Sequence, residues 1–126
     1  MKKTISTDRA PTAIGTYSQA VKHNGLLYIS GQIPLVPTTM ELVGPDINQQ
    51  VNQVFDNLSA IAEAAGTTLN EAVKLTVYLT DLGHFASVNE VMVQQLAQPY
   101  PARVALEVSA LPRSALIEID AIVAIS

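Results

Sequence analysis

Residues 17–33 read Tyr17-Ser18-Gln19-Ala20-Val21-Lys22-His23-Asn24-Gly25-Leu26-Leu27-Tyr28-Ile29-Ser30-Gly31-Gln32-Ile33, two stretches of strand character on either side of Asn24-Gly25. Asn and Gly tolerate positive φ, which a two-residue type I′ hairpin turn requires at both central positions. The stretch therefore predicts an antiparallel hairpin of residues 17–23 with residues 26–33. In that register His23 pairs with Leu26, Gln19 with Ser30 and Tyr17 with Gln32. Pro34, Pro37 and Pro45 mark a loop beyond it, because proline cannot donate to a sheet ladder.

Downstream, Ile47, Val51, Val54, Phe55, Leu58, Ile61, Ala62 and Ala65 recur at three- and four-residue steps, the apolar stripe of an amphipathic helix. Asp46 is its expected N-cap with Gln49 as capping-box partner, and Gly66 its expected left-handed terminator. Ala72–Leu79 alternates as a strand. Phe85, Val88, Met92 and Leu96 then outline a shorter helix capped from Thr80 or Asp81. Residues 102–108 and 116–125 close the chain as two strands separated by a turn around Pro112. The order ββαβαββ, in a single domain spanning 1–126, predicts an α+β fold: one four- or five-stranded mixed sheet with both helices on one face.

Period-2 alternation assigns strand residues to faces. Leu27, Ile29, Ile33, Val73, Leu75, Val77, Val104, Leu106, Val108, Ile117, Ile119 and Val123 form the set expected beneath the helices. Tyr17, Gln19, Tyr28, Ser30, Gln32, Arg103, Ala105, Glu107, Glu118, Asp120 and Ile122 are expected on the opposite, uncovered face. A solvated sheet face normally carries many Lys and Glu, and this one carries few.

Composition points the same way. Charged residues make up 14% of the chain and hydrophobic residues 48%, against about 25% charged in an ordinary soluble domain. So few charges leave part of the surface to be covered by other copies, and a homo-oligomer is expected. The net charge of −4 and the absence of any basic run argue against a dedicated nucleic-acid binder. The chain has no cysteine, which excludes disulfides, thiolate nucleophiles and cysteine-ligated zinc. His23 and His84 have no partners at metal-ligand spacing and are expected at the surface. Lys2 and Lys3 precede a polar stretch, and no apolar run approaches the ~18 residues that span a bilayer, so a cytoplasmic protein without membrane contact is expected.

The motifs resemble those of the reactive intermediate deaminase (RidA/YjgF) family, in order and over nearly the whole length. The resemblance is carried by residues 10–20, by Ser30-Gly31-Gln32-Ile33-Pro34, by residues 73–81, by Val88-Asn89-Glu90-Val91, and by Pro101-Ala102-Arg103 followed by Leu111-Pro112 and Ile117-Glu118-Ile119. It implies a chorismate-mutase-like fold assembled as a homotrimer, with sites at subunit interfaces. It also implies cofactor-free and metal-free hydrolysis of 2-imino acids (2-iminobutanoate and 2-iminopropanoate) to 2-oxo acids and ammonia. Arg103 and Glu118 are the implied catalytic pair. Tyr17, Ser30, Gly31, Asn89 and Ala105 are implied around the substrate, Asn89 in a supporting or packing role.

The chemistry suits these residues. Arg103 offers a planar cationic fork for a carboxylate, and Glu118 a base to activate water. An arginine near Glu118 should favour its ionised form. Two positions depart from the family pattern. Thr16 stands where the family has proline before the tyrosine. Ala105 stands where a cysteine is frequent, which removes any thiol chemistry but keeps the backbone carbonyl. Three alternatives accompany this reading: an Arg103–Glu118 pair that is merely structural, an endoribonuclease, and a carboxylate-metabolite-binding or chaperone-like trimer without catalysis.

Overall fold

The computed structural model describes residues 1–125. At the hairpin, Asn24 (φ 51°) and Gly25 (φ 77°) are both left-handed, as a type I′ turn demands. His23 pairs with Leu26 and Ala20 with Ile29. The first strand of this hairpin is shorter than its sequence suggests: β2 covers only Ala20–His23, against β3 at Leu26–Gln32. The Gln19–Ser30 pairing survives as one backbone hydrogen bond (3.0 Å). Tyr17, however, lies in a loop and not on the sheet. An additional strand, β1 (Lys3–Ile5), joins the outer edge of β2.

Helix α1 (Ile47–Ala64) starts where Asp46 accepts a hydrogen bond from the Gln49 N–H (3.0 Å) and gives way to Gly66 at φ 87°. Its expected stripe is the centre of the core: Val51, Val54, Phe55, Leu58 and Ile61 are fully buried. Each such side chain contributes about 1.5–3 kcal/mol by leaving water. The Asp81 carboxylate accepts from the Gly83 N–H (2.8 Å) and caps a short turn that leads into α2 (Phe85–Gln95).

Strands β4 (Ala72–Leu79), β5 (Ala102–Glu107) and β6 (Ile117–Ala124) complete one mixed sheet of six strands in the order β1-β2-β3-β6-β4-β5. This is one or two strands more than expected. β6 lies antiparallel between β3 and β4, and β5 is an edge strand parallel to β4. Leu27, Leu75, Val77, Leu79, Ile117, Ile119 and Val123 are buried beneath the helices.

The face expected for β5 is reversed. Arg103 pairs with Leu75, Ala105 with Val77 and Glu107 with Leu79, and paired residues share a face. Arg103, Ala105 and Glu107 therefore lie on the helix side. Val104 and Leu106, opposite Thr76 and Tyr78, lie on the open side. Val73 also leaves its expected place: the register shifts between Ala72 and Lys74, and Val73 is exposed. Gln19 and Gln32 are buried and not on an uncovered face.

Candidate functional site

The residues expected at the site fall into two groups on two different surfaces. The first gathers around Arg103 on the edge strand. Its guanidinium stacks over the Phe85 ring (4.7 Å to the centroid), donates through Nη1 to Asn89 Oδ1, and touches Met92 Sδ (3.5 Å). Phe85, Asn89 and Met92 are spaced i, i+4, i+7, one stripe of α2. The helix thus presents a ring, an amide oxygen and a thioether to one cation. All three are electrically neutral, so the charge of Arg103 is aimed but not cancelled. A cleft of about 390 Å³ opens here, lined by Asn89, Met92, Val93, Tyr100, Pro101 and Arg103. Ala105, two residues along, is half-buried against the core.

The second group surrounds Glu118. Antiparallel pairing sets Glu118 opposite Tyr78 and Asp120 opposite Thr76, all on the face away from the helices. Tyr78 donates its hydroxyl to Asp120 Oδ2 (3.0 Å). Gly31 lies under the Glu118 carboxylate so closely that a Cβ built there would stand 2.9 Å from Glu118 Cδ and nearer still to Oε2. Only glycine allows this approach. Burial, and after it the negative charge of Asp120, pushes the Glu118 carboxyl above the usual glutamate range. That is opposite to the ionisation expected from a neighbouring arginine, because within one chain Arg103 is on the other side of the sheet.

Loop residues 7–19 bring Tyr17 to this second group. The buried Gln19 amide accepts from the Thr7 N–H (2.7 Å) and donates to the Pro11 carbonyl (2.8 Å), which fastens the loop to the start of β2. Ser30 Oγ donates to the Ser18 carbonyl (2.6 Å), so the serine hydroxyl anchors the turn beside Tyr17. The Tyr17 hydroxyl accepts from the Ile14 N–H (3.3 Å). Tyr17 and Gly31 line a cleft of about 270 Å³ together with Met40 and Arg113.

Phe85, Met92, Gln19, Tyr78 and Arg113 were not expected at the site: Phe85 and Met92 read as a helix stripe and Gln19 as a sheet-face residue. The Phe85–Asn89–Met92 spacing was available as a signal, a polar residue interrupting an apolar helical stripe. Glu107 accepts from the Leu82 N–H (3.0 Å), a local structural bond. His23 is exposed, while His84 is half-buried with its Nδ1 unpartnered. Among the described residues, no group of three or more His, Cys, Asp or Glu is arranged to hold a metal, and no helix is long and apolar enough to cross a membrane.

An α+β sheet with helices on one face, a cation braced at its edge and a carboxylate over a glycine on its open face defines a recognisable class. The family model described as "Endoribonuclease L-PSP" matches residues 7–125, and the chain belongs to that family, the RidA/YjgF family its motifs resemble. It is similar to a RutC family protein of Pyrococcus horikoshii, 52% identical over 97% of both chains. It is 44% identical to the mouse (Mus musculus) 2-iminobutanoate/2-iminopropanoate deaminase, covering 97% of this chain and 90% of that one. The crystal structure of RidA from the Antarctic bacterium Psychrobacter sp. superposes with a TM-score of 0.94 at 54% identity, covering 98% of this chain and 99% of the other.

Proposed function

We propose that this chain is a hydrolytic deaminase of reactive 2-imino acids, working in clefts between the copies of a homotrimer. The observation that carries the reading is the separation of two uncancelled charges. Arg103 has no carboxylate partner among the described residues, where the ion pair is Arg9–Glu63, and the Glu118 carboxylate lies beyond its reach on the opposite face. Each charge is flanked by exposed apolar side chains: Val93 (66% exposed) and Tyr100 (45%) near Arg103, Ile14 (67%) and Tyr17 (52%) near the Glu118 group. Apolar rims of that kind favour burial against another molecule. A second copy supplying its Glu118 half to the Arg103 half of the first completes one site per interface. A closed ring repeats that contact without free ends.

In such a cleft Arg103 holds the substrate carboxylate through paired N–H bonds, which fixes the C=N carbon in front of a water molecule. Glu118 takes a proton from that water as its oxygen bonds to the imine carbon, and passes the proton to nitrogen. The resulting carbinolamine loses its hydroxyl proton to Glu118, which returns it to the amine as the C–N bond breaks. One water is consumed, and one 2-oxo acid and one ammonia are released. A carboxyl pushed up by burial is a stronger base once ionised, which suits both transfers. The resemblance to the mouse deaminase supports 2-iminobutanoate and 2-iminopropanoate as substrates.

The test generates 2-iminopropanoate in situ with an amino acid oxidase and follows 2-oxo acid release above the uncatalysed rate. Acceleration by the wild-type protein, lost in Arg103→Ala and in Glu118→Gln, is the expected result. Full activity in Glu118→Gln overturns the mechanism. RNA cleavage that disappears with Arg103→Ala, without any imine hydrolysis, overturns the reading in favour of an endoribonuclease.

A further inference from the structure

The turn before β6 is costly to build. Arg113 (φ 59°) and Ser114 (φ 60°) are consecutive non-glycine residues in the left-handed region, and Met40, across the cleft, is a third (φ 59°). Such conformations persist only where the surroundings enforce them, and they gather at ligand sites. This turn sends the Arg113 guanidinium over the cleft shared with Tyr17 and Gly31, where Nη2 donates to the Met40 carbonyl (3.3 Å). No carboxylate meets it among the described residues, although acidic residues outnumber Lys and Arg by 11 to 7. Most of the five N–H donors of the fork are left unused. Gly31, which lines this cleft, also underlies the Glu118 carboxylate. Arg113 is thus a second uncancelled cation, on the Glu118 side of the site, whereas Arg103 belongs to the other side. Ile14, Ile33 and Leu35 give the same cleft an apolar wall.

We propose that Arg113 determines specificity by binding a second carboxylate, on the substrate side chain, so that dicarboxylic 2-imino acids are substrates of this site. The inference rests on the imine-deaminase reading and deepens it. Arg103 takes the α-carboxylate, the apolar wall takes the methylene, and Arg113 takes the distal carboxylate. Hydrolysis itself is unchanged: water adds to the imine carbon and ammonia leaves.

The experiment compares 2-iminosuccinate with 2-iminopropanoate, formed in situ from aspartate and alanine by amino acid oxidases. The variant is Arg113→Asn, because asparagine tolerates the left-handed backbone while removing the charge. Its kcat/KM for 2-iminosuccinate is expected to fall about tenfold or more, mainly through KM, with less than about a twofold change for 2-iminopropanoate. Arg113→Lys is expected to recover part of the loss. Activity on 2-iminopropanoate also reports that each variant is folded and assembled. If the wild-type protein hydrolyses 2-iminopropanoate but the ratio of the two substrates is the same in Arg113→Asn, the specificity role is overturned and the deaminase reading stands. An equal loss on both substrates also overturns it, because Arg113 then serves the shared α-carboxylate or the fold. If the wild-type protein hydrolyses neither substrate, both proposals fail together.

Discussion

The two halves of the candidate site are held in place in different ways. Arg103 is on an edge strand with a sheet neighbour on one side only, and its position depends on three side chains of α2. Glu118 is on β6, paired on both sides, over a glycine and beside a loop pinned by the buried Gln19. Side chains aim the cation, while the backbone sets the carboxylate. Damage to the first half should therefore weaken substrate grip. The second half should yield only to changes that touch the carboxylate itself.

Arg103→Ala gives the largest expected effect, a fall in kcat/KM on the order of a hundred- to thousandfold, the cost of leaving a buried substrate carboxylate unpaired. Arg103→Lys keeps the charge but not the fork and is expected to recover only part of it. Steady-state kinetics on 2-iminopropanoate reads both. The comparison is broken or sharpened most directly by mixing two inactive proteins. If each site takes Arg103 from one copy and Glu118 from the next, Arg103→Ala and Glu118→Gln chains refolded together regain activity. At equal amounts about a quarter of the sites are intact, because each needs one chain of each kind in the correct order around the ring. A silent mixture means that the two halves do not meet between copies.

Gly31→Ala comes next. The added methyl collides with the free end of the Glu118 side chain and not with backbone, so the side chain swings away and the fold adapts. The expected outcome is a loss of roughly ten- to a hundredfold in kcat with a nearly unchanged unfolding temperature. A large drop in thermal stability would show that Gly31 serves the sheet and not the carboxylate.

The same contrast explains what could be read before the structure. The stripe of α1 and the alternation of β6 are unambiguous, because polar residues mark the outer side of the helix and Glu118 and Asp120 mark the side of β6 that the core does not take. On β5, Val104 and Leu106 alternate with Arg103 and Ala105, and the apolar set was expected beneath the helices. Alternation separates two faces but does not say which one the core takes. Here the uncovered face of the sheet is itself partly apolar, with Val104 44% exposed and Tyr28 43% exposed. Tyr17 was misplaced for a related reason: Gln19 uses its amide to hold the loop at Thr7 and Pro11, a long-range contact invisible to local pattern. β1 escaped notice because Lys3-Thr4-Ile5 has no periodicity and lies on an edge. An interface site pairing Arg103 with Glu118 was expected only from the family resemblance; local pattern placed both residues on one face, and their separation onto opposite faces depends on the register of β5 against β4.

The smallest predicted effect, a pH shift, tests that pairing most sensitively. Glu118 must be ionised to take a proton from water, so kcat/KM falls as the pH drops through its pKa. Within the chain, burial is the larger influence and Asp120 the second, and both hold that pKa above the usual range. Tyr78 is across from Glu118 on β4 and Gly31 of β3 lies beneath it, while Lys74 of β4 and Tyr28 of β3, the other titratable groups these strands place on this face, are both opposite Ile122, further along the sheet. Tyr78 is neutral near pH 7, since burial and the Asp120 bond push its hydroxyl above the ordinary tyrosine range. Asp120→Asn removes the anion and leaves an acceptor for the Tyr78 hydroxyl, so the acid limb moves to lower pH but stays above that of a free glutamate. A guanidinium arriving from a neighbouring copy acts with the opposite sign, favouring the carboxylate. Arg103→Ala, far from Glu118 in its own chain, should then raise the Glu118 pKa in the assembled protein. Carbon-13 titration of the carboxyl reads both variants without needing activity. Opposite shifts support the interface site, and an unmoved Glu118 in Arg103→Ala means that the arginine of the next copy is not beside it.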